Sequence, residues 1–135
     1  MAELRIEEPS VVAVLASSEV CERLEASGNG TLLRVAPREI LIVGGADPTV
    51  EGATLAEDVS DAWSSLVLEG PDAPDAFARL SELELPAEGW VQGDVAHAAA
   101  KVIVEPGRIT ILVPAMLAAH VEERIRTDAA EVLAR

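Results

Sequence analysis

The chain has 135 residues, a length that fits one folded domain of 1–135. Half of its residues are hydrophobic, yet no apolar run approaches the roughly 18 residues of a membrane span. Its 24 acidic and 10 basic residues leave a net charge of −14, which repels a phosphate backbone or an anionic membrane surface and excludes both as expected partners.

Val11–Leu15 is a continuous apolar run of strand length. Ser17 and Ser18 follow it and suit the cap of a helix, on which Val20, Cys21 and Leu24 share one face. Ser27-Gly28-Asn29-Gly30 stops that helix. Thr31–Ala36 then reads as a strand, Pro37-Arg38 as a tight turn and Ile40–Val43 as the returning strand. Residues 44–57 carry three glycines and a proline and read as a loop with room for a short strand or helix.

Trp63–Glu69 opens a second series as a strand, ended by Gly70-Pro71-Asp72. Asp72 suits the N-cap of a helix, Pro74 is tolerated in its first turn, and Ala73, Ala76, Phe77 and Leu80 form its apolar stripe. A looser segment runs from Ser81 to Asp94. Val95–Val104 reads as a strand, Pro106-Gly107 as a turn and Ile109–Val113 as the partner strand. Pro114 opens a C-terminal helix over 115–133, with Leu117, Val121, Ile125, Ala129 and Val132 as its stripe.

The two hairpins align at one offset: Val35 with Val104, Pro37 with Pro106, Ile40 with Ile109, Ile42 with Ile111. The order βαββ and then βαββα suggests an internal repeat of approximately 11–43 and 63–113. Any two proline-turned hairpins with β-branched strands would align similarly, and that alternative stays open. Two βαββ units give antiparallel sheets with helices packed on them, an α+β fold.

Candidate chemistry is sparse. His97 and His120 stand alone, without the neighbouring ligands that zinc requires. Cys21, the single cysteine, excludes a disulfide framework, and a reducing cytoplasm is the expected compartment. It is flanked by Glu19 and Glu22 rather than by a cation, so it reads as a buried apolar residue more than as a reactive thiol. Ile40–Val43 running into Gly44-Gly45 lacks the third glycine of a dinucleotide loop and the lysine of a phosphate loop. Asp58 and Asp61 are too few for calcium, and Asp58-Val59-Ser60-Asp61 reads as turn chemistry that accepts backbone N–H groups. No catalytic, cofactor-binding or metal-binding residue is assigned. Trp63 and Trp90 are interface anchors or partly buried core residues. The opening Met1–Glu8, charged from its third residue, has no secretory signal pattern.

Asp58-Val59-Ser60-Asp61-Ala62-Trp63 and Leu68-Glu69-Gly70-Pro71-Asp72-Ala73 resemble a motif shared by two related families. One is the gamma subunit of heterotetrameric sarcosine oxidase; the other is the folate-binding domain of the glycine-cleavage T-protein. Leu33–Gly44 and Ile109–Pro114 are similar to the gamma family too, so the resemblance covers roughly Leu33 to Thr127. It implies duplicated ferredoxin-like parts and a role as the small subunit of a flavin-dependent oxidase or dehydrogenase acting on sarcosine or related N-methyl amino acids. It also implies that flavin and tetrahydrofolate sit in larger partner subunits. T-proteins carry an acidic pair in an extra hairpin beyond the strand and helix of this motif. No such hairpin is read between Asp94 and Pro106, and the further T-protein domains are missing. These departures argue against aminomethyl transfer by the chain itself. The alternatives are a stand-alone folate-type ligand-binding domain, with homo-oligomers expected in that case, and a protein-interaction domain.

Overall fold

The computed structural model describes residues 1–27, 31–44 and 50–134. The helix stop at 28–30 and the second glycine of the Gly44-Gly45 pair lie outside the described residues. In chain order the described strands are β1 (Glu3–Glu7), β2 (Val11–Leu15), β3 (Thr31–Ala36), β4 (Glu39–Val43), β5 (Leu55–Asp58), β6 (Trp63–Glu69), β7 (Gly89–Val95), β8 (Ala98–Glu105) and β9 (Arg108–Pro114). Helix α1 (Ser18–Ser27) follows β2, α2 (Ala73–Ala78) follows β6, and α3 (Ala118–Asp128) follows β9. The architecture is α+β, with two antiparallel sheets. The chain divides into two compact units, Pro9–Asp61 and Met1–Glu8 with Ala62–Arg135.

The 9–61 unit holds a four-stranded sheet in the order β3-β4-β2-β5. Ser17 caps α1 as its residue type predicts, its Oγ accepting the Val20 N–H at 3.3 Å. Alternation along β2 and β4 sends Val12, Val14 and Ile40 to one face, where they bury with Ala16 and Cys21, and Val20 and Leu24 pack beside them. Arg34 points to this helix-bearing face. Its guanidinium donates to Glu25 Oε1 (3.0 Å) and Ser18 Oγ (3.1 Å) on α1, and to the Pro37 carbonyl (2.8 Å) in the β3–β4 turn.

The other unit holds a five-stranded sheet in the order β1-β6-β9-β8-β7. Leu66, Leu68, Ile109, Ile111 and Val113 bury on one face against the α2 stripe of Ala73, Ala76, Phe77 and Leu80 and the α3 residues Val121 and Ile125. Arg5 and Glu7 of β1 join Glu69 of β6 and Arg108 of β9 in an ion-pair network, with Arg108 to Glu7 at 2.9 Å and Arg5 in close contact with Glu69. These side chains are all more than a third exposed, so the network fixes strand register more than it adds stability.

The two sheets share an order. Matching β2, β3 and β4 with β6, β8 and β9 turns β3-β4-β2-β5 into β8-β9-β6-β1, and β7 extends the second sheet beyond β8. Each run lies next to an edge strand placed out of turn. β1 leads along the chain into β2 but pairs with β6, whereas β5 leads into β6 but pairs with β2. Both hairpins close at the expected prolines, Ala36 opposite Glu39 and Glu105 opposite Arg108. The offset fails at one of its four pairs. Gly107 reaches φ +71° and closes a regular ladder, so Val104 faces Ile109. Arg38 stays outside the left-handed region, and the ladder shifts between Arg34 and Ala36, so Arg34 rather than Val35 faces Ile40.

Three further expectations are corrected. The strand read over Val95–Val104 is two strands, β7 and β8, joined by a two-residue turn at Ala96 and His97. A hairpin, β7 with β8, therefore stands where a single strand was expected. The helix expected over 115–133 is a 3-10 turn at Ala115–Leu117 and then α3, which stops at Asp128. Beyond it the backbone pairs with the chain start, Ala2 N–H donating to Val132 O (2.8 Å) and Ala134 N–H to Ala2 O (2.7 Å), and this pairing overrides the local helical pattern. Asp72 occupies the N-cap of α2, but its carboxylate makes no cap hydrogen bond and lies 3.2 Å from the Met1 amino group.

Candidate functional site

A depression in the 62–135 portion lies where the chain leaves α2, crosses to β7 and turns at Ala96-His97. It is an open groove of about 670 Å³, lined by Arg79, Ser81, Glu82, Asp94, His97 and Arg124 among others. The 81–88 stretch beside it carries no regular structure, but two of its leucines, Leu83 and Leu85, pack on the core of this unit. Leu83 lies over Gly93 so closely that a Cβ there would sit 2.5 Å from Leu83 Cδ2, so any larger residue in this place would push the leucine aside.

The serine and both arginines of the groove are committed to structure. The Ser81 hydroxyl donates to the Asp94 carbonyl (2.7 Å) and accepts the Leu83 N–H (3.1 Å), which fixes the entry to the stretch. Arg79 hydrogen-bonds Glu131 (3.2 Å) and lies 3.6 Å from Asp75. The Glu131 hydrogen bond first, and then the Asp75 charge, raise its pKa above the ordinary guanidinium value. Arg124 is paired with Asp128 at 3.1 Å. The groove therefore offers no activated nucleophile and no unpaired arginine to receive an anion.

His97 is the unusual member. It and Ala96 both adopt left-handed backbone angles, φ 67° and 51°, which tight hairpin turns require and which Asn or Gly adopt with less strain. The turn is thus built without its usual sequence signal, which is why β7 was hidden in a segment read as loose. The His97 side chain is exposed at the tip.

The other singled-out residues scatter. His120 is exposed on α3. Cys21 is fully buried in the 9–61 unit, as its helical face predicts. Gly44 takes φ +92°, and its N–H donates to Ser10 O (2.8 Å), serving the sheet margin. Asp58 and Ser60 form the predicted turn: Asp58 Oδ1 accepts the Ser60 N–H (2.9 Å) and hydroxyl (2.6 Å), and Ser60 Oγ accepts the Val11 N–H (2.9 Å). The Ser60 hydroxyl, followed by its N–H, holds the Asp58 carboxyl below its ordinary pKa. Trp63 and Trp90 are half-buried, and neither belongs to the packed core of their unit. Strand alternation puts both on the sheet face away from α2 and α3. Among the described residues no three His, Cys, Asp or Glu side chains are grouped to hold a metal ion, and no helix is long and apolar enough to cross a membrane.

No protein-family model matches the chain, and no curated protein matches it in sequence. The fold is nevertheless shared with a solved structure. A chain of the heterotetrameric sarcosine oxidase from Corynebacterium sp. U-96, solved in complex with pyrrole 2-carboxylate, matches with a TM-score of 0.78 at 16% identity. The match covers 99% of this chain and 86% of that one.

Proposed function

We propose that the chain is a gamma-like, non-catalytic small subunit of a flavin-dependent oxidase or dehydrogenase acting on sarcosine or a related N-methyl amino acid, within one-carbon metabolism. The observation that carries this reading is the fold likeness, which takes in nearly the whole of this chain and most of the chain it matches. The groove adds support, because its hydroxyl and both arginines are engaged in holding the fold. Flavin and tetrahydrofolate belong, in this reading, to larger partner subunits, and the assembly is cytoplasmic. The matched sheet orders and the two proline turns support a duplicated, ferredoxin-like βαββ unit.

The test is co-expression of the tagged chain with the flavin-containing subunits encoded beside it. Stable co-purification is expected, while the isolated chain shows no flavin absorbance and no demethylase turnover. Failure to co-purify with any such subunit would remove the reading.

One observation favours a second reading, a free-standing folate-type ligand-binding domain. The hairpin of β7 and β8 carries one acid, Asp94, beside its turn, and that placement supports a folate-type site in this second reading. Titration with tetrahydrofolate separates the two: micromolar affinity of the isolated chain favours the second reading, and none favours the first.

A further inference from the structure

Four strands stand at sheet edges, and three of them are blunted. β1 is a five-residue strand whose Arg5 and Glu7 are tied into ion pairs. β3 is interrupted by the register shift between Arg34 and Ala36. β5 has only four residues, two of them acidic. Short strands, charges and bulges are the devices that keep an edge from pairing with another chain.

β7 lacks them. It runs for seven residues, Gly-Trp-Val-Gln-Gly-Asp-Val, in unbroken register with β8 and without Pro, Lys or Arg. The bond from Ser81 Oγ to the Asp94 carbonyl shows that Asp94 directs its backbone away from β8. Alternation then directs the N–H and C=O of Gln92 and Trp90 outward as well. The neighbouring 81–88 stretch touches β7 through the Ser81 Oγ bond to the Asp94 carbonyl and through Leu83 over Gly93, but no backbone–backbone bond joins the described residues of that stretch to Trp90, Gln92 or Asp94. Gln92 and Asp94 are exposed, and Trp90 is half-buried on the same strand.

The charge around this edge has one sign. No Lys or Arg occurs from Ser81 to Ala100, whereas Glu82, Glu84, Glu88 and Asp94 do. Glu82, Glu84 and Asp94 line the same groove, whose two arginines are already paired. Lys101 lies opposite Gln92 on β8, one strand in from the edge. A second copy of this chain would bring the same acids against themselves, which disfavours self-pairing at this edge.

We infer that the outer edge of β7 is a docking site for an extended, lysine- or arginine-bearing segment of another protein, which adds to the five-stranded sheet as a sixth strand beside Trp90. Main-chain bonds to Trp90, Gln92 and the Asp94 N–H hold the segment, and its cations meet the acids of the flanking stretch. The inference deepens the proposed function, on which it rests for the identity of the partner as a larger subunit.

The experiment uses the full chain, isotope-labelled, with two synthetic peptides at millimolar concentration: acetyl-Lys-Val-Lys-Val-Lys-Val-Lys-amide and the same sequence with Glu for Lys. The lysine peptide slows amide exchange at Trp90, Gln92 and Asp94 by roughly tenfold or more, and the glutamate peptide does not. Gln92→Pro removes an outward N–H while leaving the β8 ladder, and abolishes the protection. Gln92→Lys, which needs no backbone change, weakens it severalfold. Absence of protection, protection at β1, β3 or β5 instead, or equal protection by the glutamate peptide would overturn the inference. Co-purification of Gln92→Pro and wild type with the large subunits at equal yield would overturn it while leaving the subunit reading intact. If no large subunit binds the wild type, the subunit reading fails and the exchange data decide the edge by themselves.

Discussion

Replacing Ser60 with alanine tests how the Asp58–Asp61 turn holds the 9–61 unit. Ser60 Oγ accepts the Val11 N–H at 2.9 Å, and Val11 is 0% exposed at the start of β2. The substitution leaves that N–H without its acceptor. An unsatisfied buried donor costs about 1–3 kcal/mol. Taking about 2 kcal/mol, and about 3–5 °C per kcal/mol for a domain of this size, the melting midpoint falls by roughly 6–10 °C. Ser60→Ala also deletes the hydroxyl bond to Asp58, the larger of the two bonds that lower the Asp58 pKa. A carboxylate with a depressed folded-state pKa stabilises the fold above its unfolded value, 3.8 here, and loses that contribution as pH falls through the lower folded value. Wild type should therefore weaken on this account below pH 3.8, and Ser60→Ala less so. Urea denaturation followed by circular dichroism at pH 7 and pH 3, with the denaturant slope unchanged, gives the stability difference. Amide exchange should locate the loss in β2 and β5. A difference under about 0.5 kcal/mol at pH 7 would mean that Val11 is satisfied otherwise, and an unaltered acid limb would refute the link to Asp58.

Two other outcomes follow from the same geometry. His97→Gly relieves a left-handed backbone angle at φ 67° and should stabilise the chain by about 0.5–1 kcal/mol, read as a higher urea midpoint; no gain would show that the turn carries no strain. Cys21 is fully buried on the sheet-facing side of α1, so a thiol reagent should label it only after unfolding, and Cys21→Ser should cost about 1–3 kcal/mol by burying a hydroxyl among apolar groups. Rapid native-state labelling would place the thiol at the surface instead.

Elements whose signal is local were readable from the residues. Val11–Leu15, Thr31–Ala36 and Trp63–Glu69 form strands with the expected bounds, because each is a short apolar run between breakers. Asp58 and Ser60 make the predicted turn because their side chains reach only their near neighbours. What stayed hidden depends on partners distant in sequence. Glu-Leu-Arg-Ile-Glu becomes β1 through Leu68, Val67 and Leu66, far along the chain. β7 was obscured because its turn uses Ala and His where Gly or Asn would have announced it. The groove had no sequence signal at all, since Ser81, Asp94 and Arg124 meet only after the hairpin has folded back.

The out-of-turn pairing of β1 has a bearing on synthesis. β1 leaves a ribosome before β2 to β9, yet its partner β6 follows roughly 60 residues later, a wait of about 3–12 s at ordinary elongation rates. By then every strand of the β3-β4-β2-β5 sheet has been made, so that unit can close while β1 hangs unpaired from its leading end. The five-stranded sheet must recruit its oldest strand last or thread it beside β6 as that strand appears, a long-range closure of the kind that slows folding. Clipping the nascent chain within residues 1–8 would leave the earlier unit whole and open the flank of the later one.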